Sequence, residues 1–389
     1  MKKALLLSSL PFWKLKREIR RLVHQAMAVP GALMSRFFSI YFYDLVLARN
    51  SRISDGDVPL DARVAIYLVF PQHGLLGSHK EALRYLISCG YAPLVISNLP
   101  LGDLDRNELA KHCWKIIERP NYGYDFGGYR DGILLLQKHL PSLDKLAIVN
   151  DSTWFPVPGS DSWLERAEKL NVPFVGAASN YGLDRVNVAD YLSIRWRYSA
   201  EHKNFHYCSY ALLVSQPLLG APPFLGYWKR LWISGSKGRT VRRGEIGLTQ
   251  WVIRHGYAHE VTLALKHLDT ELAYLPDERI RLILKRLIIP EDPRLLDTKR
   301  VVLAKAAQDA ADWRQHAENF ILTAVARQGV SYALPEYTLK ELGFQFLKKS
   351  PTWLNRESSD TTLEIASELE GPFAETIISE IETLRLRLT

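Results

Sequence analysis

Apolar positions change their spacing twice along this chain. From Phe12 to Met27 they recur at helical intervals (Phe12, Leu15, Ile19, Leu22, Val23, Ala26), with Lys14, Arg17, Arg20 and Arg21 largely on the remaining surface. This predicts a basic amphipathic helix. The following segment, Phe37 to Ala48, is rich in aromatic rings but too short and too interrupted to span a bilayer, which needs about 20 apolar residues. Residues 49–61 (Asn50, Ser51, Asp55, Gly56, Pro59) have linker composition. Beyond them the apolar residues run continuously: Val64–Phe70, Pro93–Val95 with Ile96, Trp114–Ile117 and Lys145–Val149 read as strands buried on both faces. Helical stretches over 78–89, 103–113 and 132–139 fall between them, and residues 277–389 read as mainly helical. Strands alternating with helices predict an α/β fold with a mostly parallel sheet flanked by helices. The organisation expected is an arm over 1–52, a sheet domain over 62–276 and a helical region over 277–389.

Charge refines this picture. The 389 residues carry a formal net charge of +8, and residues 1–52 account for all of it, with ten Lys and Arg against Glu18 and Asp44. A nucleic-acid binder carries its basic excess as a groove or stripe on the folded domain. An excess confined to an amphipathic arm instead predicts attachment to the anionic cytoplasmic face of a membrane, each basic residue contributing about 1 kcal/mol near the surface. The alternative is that the arm packs on the chain's own core or on a partner subunit. Lys2 and Lys3 precede a short apolar run that meets Pro11 and new basic residues, without a cleavage site, so secretion is not expected. Three cysteines (Cys89, Cys113, Cys208) without CxxC spacing fit a reducing compartment. The localisation expected is cytoplasmic and peripheral.

In a parallel sheet, ligands bind beyond the carboxyl ends of the strands. The polar residues there are His73 after the first strand, Ser97 and Asn98 after the second, a stretch from Arg119 to Arg130 after the third, and Asn150, Asp151 and Ser152 after the fourth. Gly123, Gly127 and Gly128 would let backbone approach a ligand, and Arg119 and Arg130 could face phosphate oxygens. Asp125-Phe126-Gly127 spells a kinase motif but lacks the accompanying loops. No complete phosphate-binding loop and no HExxH or GxSxG pattern occurs.

Four segments carry a family resemblance: Ile116 to Gly132, Ala147 to Pro156, His206 to Val214 and Gly244 to Gln250, with a weaker echo over Tyr337 to Lys348. In order and content they resemble the rhamnan synthesis F family of bacterial polysaccharide biosynthesis. The resemblance implies a GT-A-like, Rossmann-like glycosyltransferase that uses a nucleoside-diphosphate sugar, commonly a rhamnose donor, and a saccharide or lipid-linked oligosaccharide acceptor. It places His73, Ser97 and Asn98 near the nucleoside, and Asn121, Gly123, Asp125, Arg130 and Asn150 near the donor. His206 and Tyr210 fall on the acceptor side. Asp151 stands where such enzymes hold Mg²⁺ or Mn²⁺ with two carboxylates, but Asn150-Asp151-Ser152 offers one, which puts metal dependence in doubt. Glu245 matches the family's glutamate and is the candidate base, with Asp125 and Asp131 as rivals. The competing roles are a turn residue for Asp151 and a helix N-terminal charge for Glu245. A noncatalytic saccharide-binding subunit is the alternative function.

Overall fold

In the computed structural model, which describes residues 41–72 and 74–388, the continuous apolar runs become buried strands. The amphipathic helix expected before residue 41, and His73, lie outside the described residues. The strands are β1 (Arg52–Asp55), β2 (Arg63–Val69), β3 (Ala92–Ser97), β4 (Lys115–Glu118), β5 (Lys145–Asn150), β6 (Thr153–Trp154), β7 (Phe174–Gly176), β8 (Ser179–Asn180), β9 (His206–Tyr207), β10 (Ala211–Ser215), β11 (His259–Val261) and β12 (Leu347–Lys348). Eight of them form one sheet in the order β1-β4-β3-β2-β5-β10-β7-β11. It is parallel through β4-β3-β2-β5 and between β7 and β11, and antiparallel at β1 and on both sides of β10. The expected mostly parallel α/β sheet is therefore present. Chain order reverses direction across the sheet at β2 and β5, which opens a crevice beyond their carboxyl ends.

Helices α1 (Gly77–Ser88) and α2 (Asp103–Ala110) make the first two crossovers. The third, α3 (Tyr124–Leu135), begins eight residues before the expected helix and takes in Gly127 and Gly128, which were expected to let backbone approach a ligand. These glycines bring the helix onto the sheet. A Cβ at Gly128 would stand 2.1 Å from Leu68 Cδ1, and one at Gly132 would stand 2.7 Å from Ile96 Cδ1. Gly123, at φ 82°, turns the chain into the helix through a conformation that disfavours a side chain.

Alternation along β2 divides the core between two layers. Ala65, Tyr67 and Val69 join a cluster that runs on into Leu284, Phe320 and Phe346 from the C-terminal region, while Val64, Ile66 and Leu68 face Phe126, Tyr129 and Trp228. Residues 280–289, an apolar segment with basic members, pack inward with Ile280, Ile283, Leu284 and Leu287 buried. The linker expected over 49–61 includes β1, which pairs antiparallel with β4 while exposing most of its side chains. No helix among the described residues is long and apolar enough to cross a membrane.

Placing a methyl group between α3 and β2 forces buried Leu68 to move. Gly128→Ala should destabilise the protein by about 1–3 kcal/mol in a urea titration, even though alanine favours the helix.

Candidate functional site

Beyond the switch point, β5 ends in Asn150, and the chain is pinned there as the Asp151 amide donates to the Leu68 carbonyl at 3.0 Å. Asn150 is buried, and its Nδ2 donates to Asp125 Oδ2 at 3.1 Å and to the Tyr129 hydroxyl at 3.0 Å. The Tyr129 hydroxyl in turn donates to the Ser209 carbonyl at 2.9 Å, and the Ser209 amide donates to Glu245 Oε1 at 2.7 Å. This hydrogen-bonded chain links two carboxylates 120 residues apart in sequence. Asp125 lies in the first turn of α3, and Glu245 opens a helix over Glu245–Arg254, so both stand at helix N-termini, where negative charge is favoured.

Asp151 is the third carboxylate at this rim. Its Oδ2 accepts the Phe70 amide at 2.7 Å and lies 3.4 Å from His79 Nε2. His79 Nδ1 accepts the Leu76 amide at 3.2 Å, which turns Nε2 toward Asp151. Burial alone would push the Asp151 carboxyl up, but His79, the Lys349 ammonium and the Phe70 amide outweigh it and hold it below the usual carboxylate range. For Asp125 the balance goes the other way. Burial, then the charges of Asp151 and Glu245, raise it to about 6 against the opposing pull of Lys348 and Lys237.

Lys348, on β12, is the cation at the centre of the group. Its Nζ sits 3.8 Å above the Tyr210 ring and donates to Ser152 Oγ at 3.3 Å. Burial pushes its ammonium down to about 8, and Cys208, Glu245 and Asp125 limit the fall. The sequence analysis did not single out this residue. Its signal was the weak echo over Tyr337 to Lys348, and only pairing of β12 with β6 brings it to the rim. His79 carries no sequence signal of its own. Its helix is tied down by Glu380, which accepts the Ser78 amide at 2.8 Å, the Ser78 hydroxyl at 2.7 Å and Trp154 Nε1 at 2.9 Å.

The structure brings Asp125, Asn150, Asp151 and Glu245 together. His206 adjoins them, with Nε2 3.8 Å from Glu245 Oε2, and Tyr210 lies beneath Lys348 with its hydroxyl on Ser331 Oγ at 2.7 Å. Asn121 is exposed. Ser97 and Asn98 are buried in local bonds, Ser97 Oγ donating to the Leu99 carbonyl and Asn98 Oδ1 accepting Arg119 Nη1, both at 2.6 Å. The expectation for Arg130 needs correction. Its guanidinium forks onto both Asp44 oxygens at 2.8 Å and donates to the Trp228 carbonyl, so it anchors the segment at residue 44 to the sheet domain. Arg119 is also occupied, donating to Asp131, the Tyr43 hydroxyl, Asn98 and the Tyr122 carbonyl. Asp131, a rival base, is thereby held by Arg119 and Tyr43.

The donor set does not make a metal centre by itself. No three His, Cys, Asp or Glu side chains among the described residues group closely enough to hold an ion, and Asp151 Oδ2 is already bonded to protein.

Removing Arg119 would leave half-buried Asp131 with only the more distant Arg130 guanidinium, 3.8 Å away. Arg119→Ala should lower stability by about 3–5 kcal/mol in chemical denaturation, with Arg119→Lys recovering only part because one ammonium cannot replace a four-partner fork.

A family model described as Rhamnan synthesis protein F matches residues 94–326. The uncharacterized protein y4gN of Sinorhizobium fredii is 34% identical over 237 residues, 61% of this chain and 57% of that protein, so the chain spans little more than half the length of this relative. Among solved structures, the mannosyltransferase Ktr4p from S. cerevisiae in complex with GDP aligns at 10% identity and a TM-score of 0.27, covering 51% of this chain and 68% of that one. Core-mannan synthase A from Aspergillus fumigatus, in an Mn/GDP form, aligns at 11% identity and a TM-score of 0.25 over 46% and 66% of the two chains.

Proposed function

Because the chain belongs to the rhamnan synthesis protein F family, we propose that it is a glycosyltransferase of polysaccharide synthesis. In this reading it moves a sugar, rhamnose by the family's name, from a nucleoside-diphosphate donor to a hydroxyl of a saccharide or lipid-linked oligosaccharide acceptor. The basic arm would hold it at the cytoplasmic face of a membrane. The observation that carries the proposal is the convergence of Asp125, Asn150, Asp151, Glu245 and Lys348 beyond the carboxyl ends of β2 and β5.

Each of these groups has a part in the transfer. Glu245 is anchored through Oε1 by the Ser209 amide, which leaves Oε2 to take the acceptor proton. The acceptor oxygen then bonds to the sugar's anomeric carbon as the bond from that carbon to the diphosphate oxygen breaks. The nucleoside diphosphate leaves with the electron pair. Lys348, already desolvated on the Tyr210 ring, is the cation available to the leaving diphosphate, where a fixed charge in a low-dielectric site acts most strongly. Asn150 fixes the Asp125 carboxylate. A metal ion, if bound at Asp151, would supply further charge on the diphosphate, and no step here depends on one.

A second reading gives the proton to Asp125, whose rise to about 6 suits a base working near neutral pH. Single substitutions separate the two. Glu245→Gln should lower turnover by about 10²–10⁴-fold with donor affinity retained; if it keeps a tenth of the activity while Asp125→Asn abolishes it, Asp125 is the base.

The alkaline side of the pH profile is common to both. Lys348 is charged below about 8 and loses its proton above it, so turnover should decline through that pH. Lys348→Arg should carry the decline to higher pH, since a guanidinium stays charged, and Lys348→Met should lower turnover by about 10²-fold at neutral pH. The experiment that tests the whole proposal is a titration with a panel of nucleoside-diphosphate sugars, followed by transfer assays on membranes carrying lipid-linked oligosaccharide. Failure to bind any nucleotide sugar would favour the noncatalytic saccharide-binding subunit instead.

A further inference from the structure

A second polar feature lies on the helices beside the rim. Three helices, α4 (Trp163–Lys169) apart, follow β10 in succession: α5 (Pro222–Arg230), α6 (Lys237–Arg243) and α7 (Glu245–Arg254). Between them runs an open groove of about 680 Å³ walled by Arg230, Arg239, Arg242, Arg243 and Arg254. Tyr227, Trp232 and Trp251 supply its apolar wall, with the Arg243 guanidinium 3.0 Å above the Trp232 ring. No carboxylate among the described residues lines it. Arg230, Arg239 and Arg242 are exposed and form no ion pair with a described carboxylate.

Guanidinium groups gathered in this way repel one another, and a bound polyanion relieves that repulsion. Their planar forks match phosphate oxygens in pairs, and the volume lies within the roughly 300–1,000 Å³ range of ligand sites. The neighbourhood narrows the source of the phosphate. Arg130 joins Asp44 to the Trp228 carbonyl near the end of α5, so the segment at residue 44 adjoins the helix that carries Arg230. That segment exposes Tyr41, Phe42, Leu45 and Val46, at 66%, 49%, 57% and 50%. Apolar side chains beside arginines and indole rings are the composition of a surface that rests at lipid headgroup depth.

We propose that this groove binds the phosphate headgroup of an anionic membrane lipid, forming a folded membrane-docking site distinct from both the arm and the acidic rim. The proposal stands whether or not the rim transfers a sugar, because its readout is binding.

The test uses the full chain and co-sedimentation with vesicles of phosphatidylglycerol and phosphatidylcholine, against phosphatidylcholine alone. A background carrying Lys14→Gln, Arg17→Gln, Arg20→Gln and Arg21→Gln removes much of the arm's charge. In that background, adding Arg230→Gln, Arg239→Gln and Arg242→Gln should weaken partition onto acidic vesicles about 100-fold, from about 1 kcal/mol per basic residue. The corresponding triple lysine variant should retain most of the binding, which separates lost charge from lost folding. Unchanged partition of the triple glutamine variant overturns the proposal. So does tight binding of inorganic pyrophosphate that needs these arginines without any vesicle binding, which would make the groove a site for soluble phosphate esters.

Discussion

Three carboxylates meet at one rim of the sheet, and their mutual repulsion is the constraint around which the rest is arranged. Burial, then the charges of Asp151 and Glu245, raise the proton affinity of Asp125, and donors reach the group from several sides. Phe70 and His79 serve Asp151, Asn150 serves Asp125, the Ser209 amide serves Glu245, and Lys348 supplies a cation among them. None of these donors comes from the same stretch of chain as the carboxylate it serves. The polar network therefore specifies how the sheet, α1, α7 and β12 sit together, as well as what the rim can do.

Close packing is what allows this. The glycine face of α3 lets the helix lie directly on β2 and β3, which brings Asp125 and Tyr129 down to the level of Asn150. On the opposite layer, Glu380 accepts three hydrogen bonds and fixes the start of α1, which carries His79. The C-terminal helical region thus orients a residue that lies 3.4 Å from Asp151. Buried polar groups of this kind are expensive unless fully partnered, which ties the geometry of the rim to the stability of the fold.

The parallel strands were legible because burial on both faces writes itself as an unbroken apolar run, and the rim residues followed from where those runs stop. β1 was not legible, since an edge strand with exposed side chains has no such signature. The start of α3 was missed because glycines that serve close packing look the same in sequence as glycines that serve a turn. Arg130 was misplaced for a different reason. Composition shows a charge but not its partner, and the partner, Asp44, lies in a segment with no sequence relation to it. Lys348 is the converse case, the last residue of the weakest motif, which reaches the rim only when β12 pairs with β6.

Pairing of β12 also sets a timetable for the molecule as it is made. The sheet and all three carboxylates lie before residue 262, so a ribosome can release an acidic, half-furnished rim long before Lys348 and Glu380 emerge. Until then His79 lacks its buttress and the carboxylates lack their cation. Competence would arrive only once residues 348 and 380 have both left the exit tunnel.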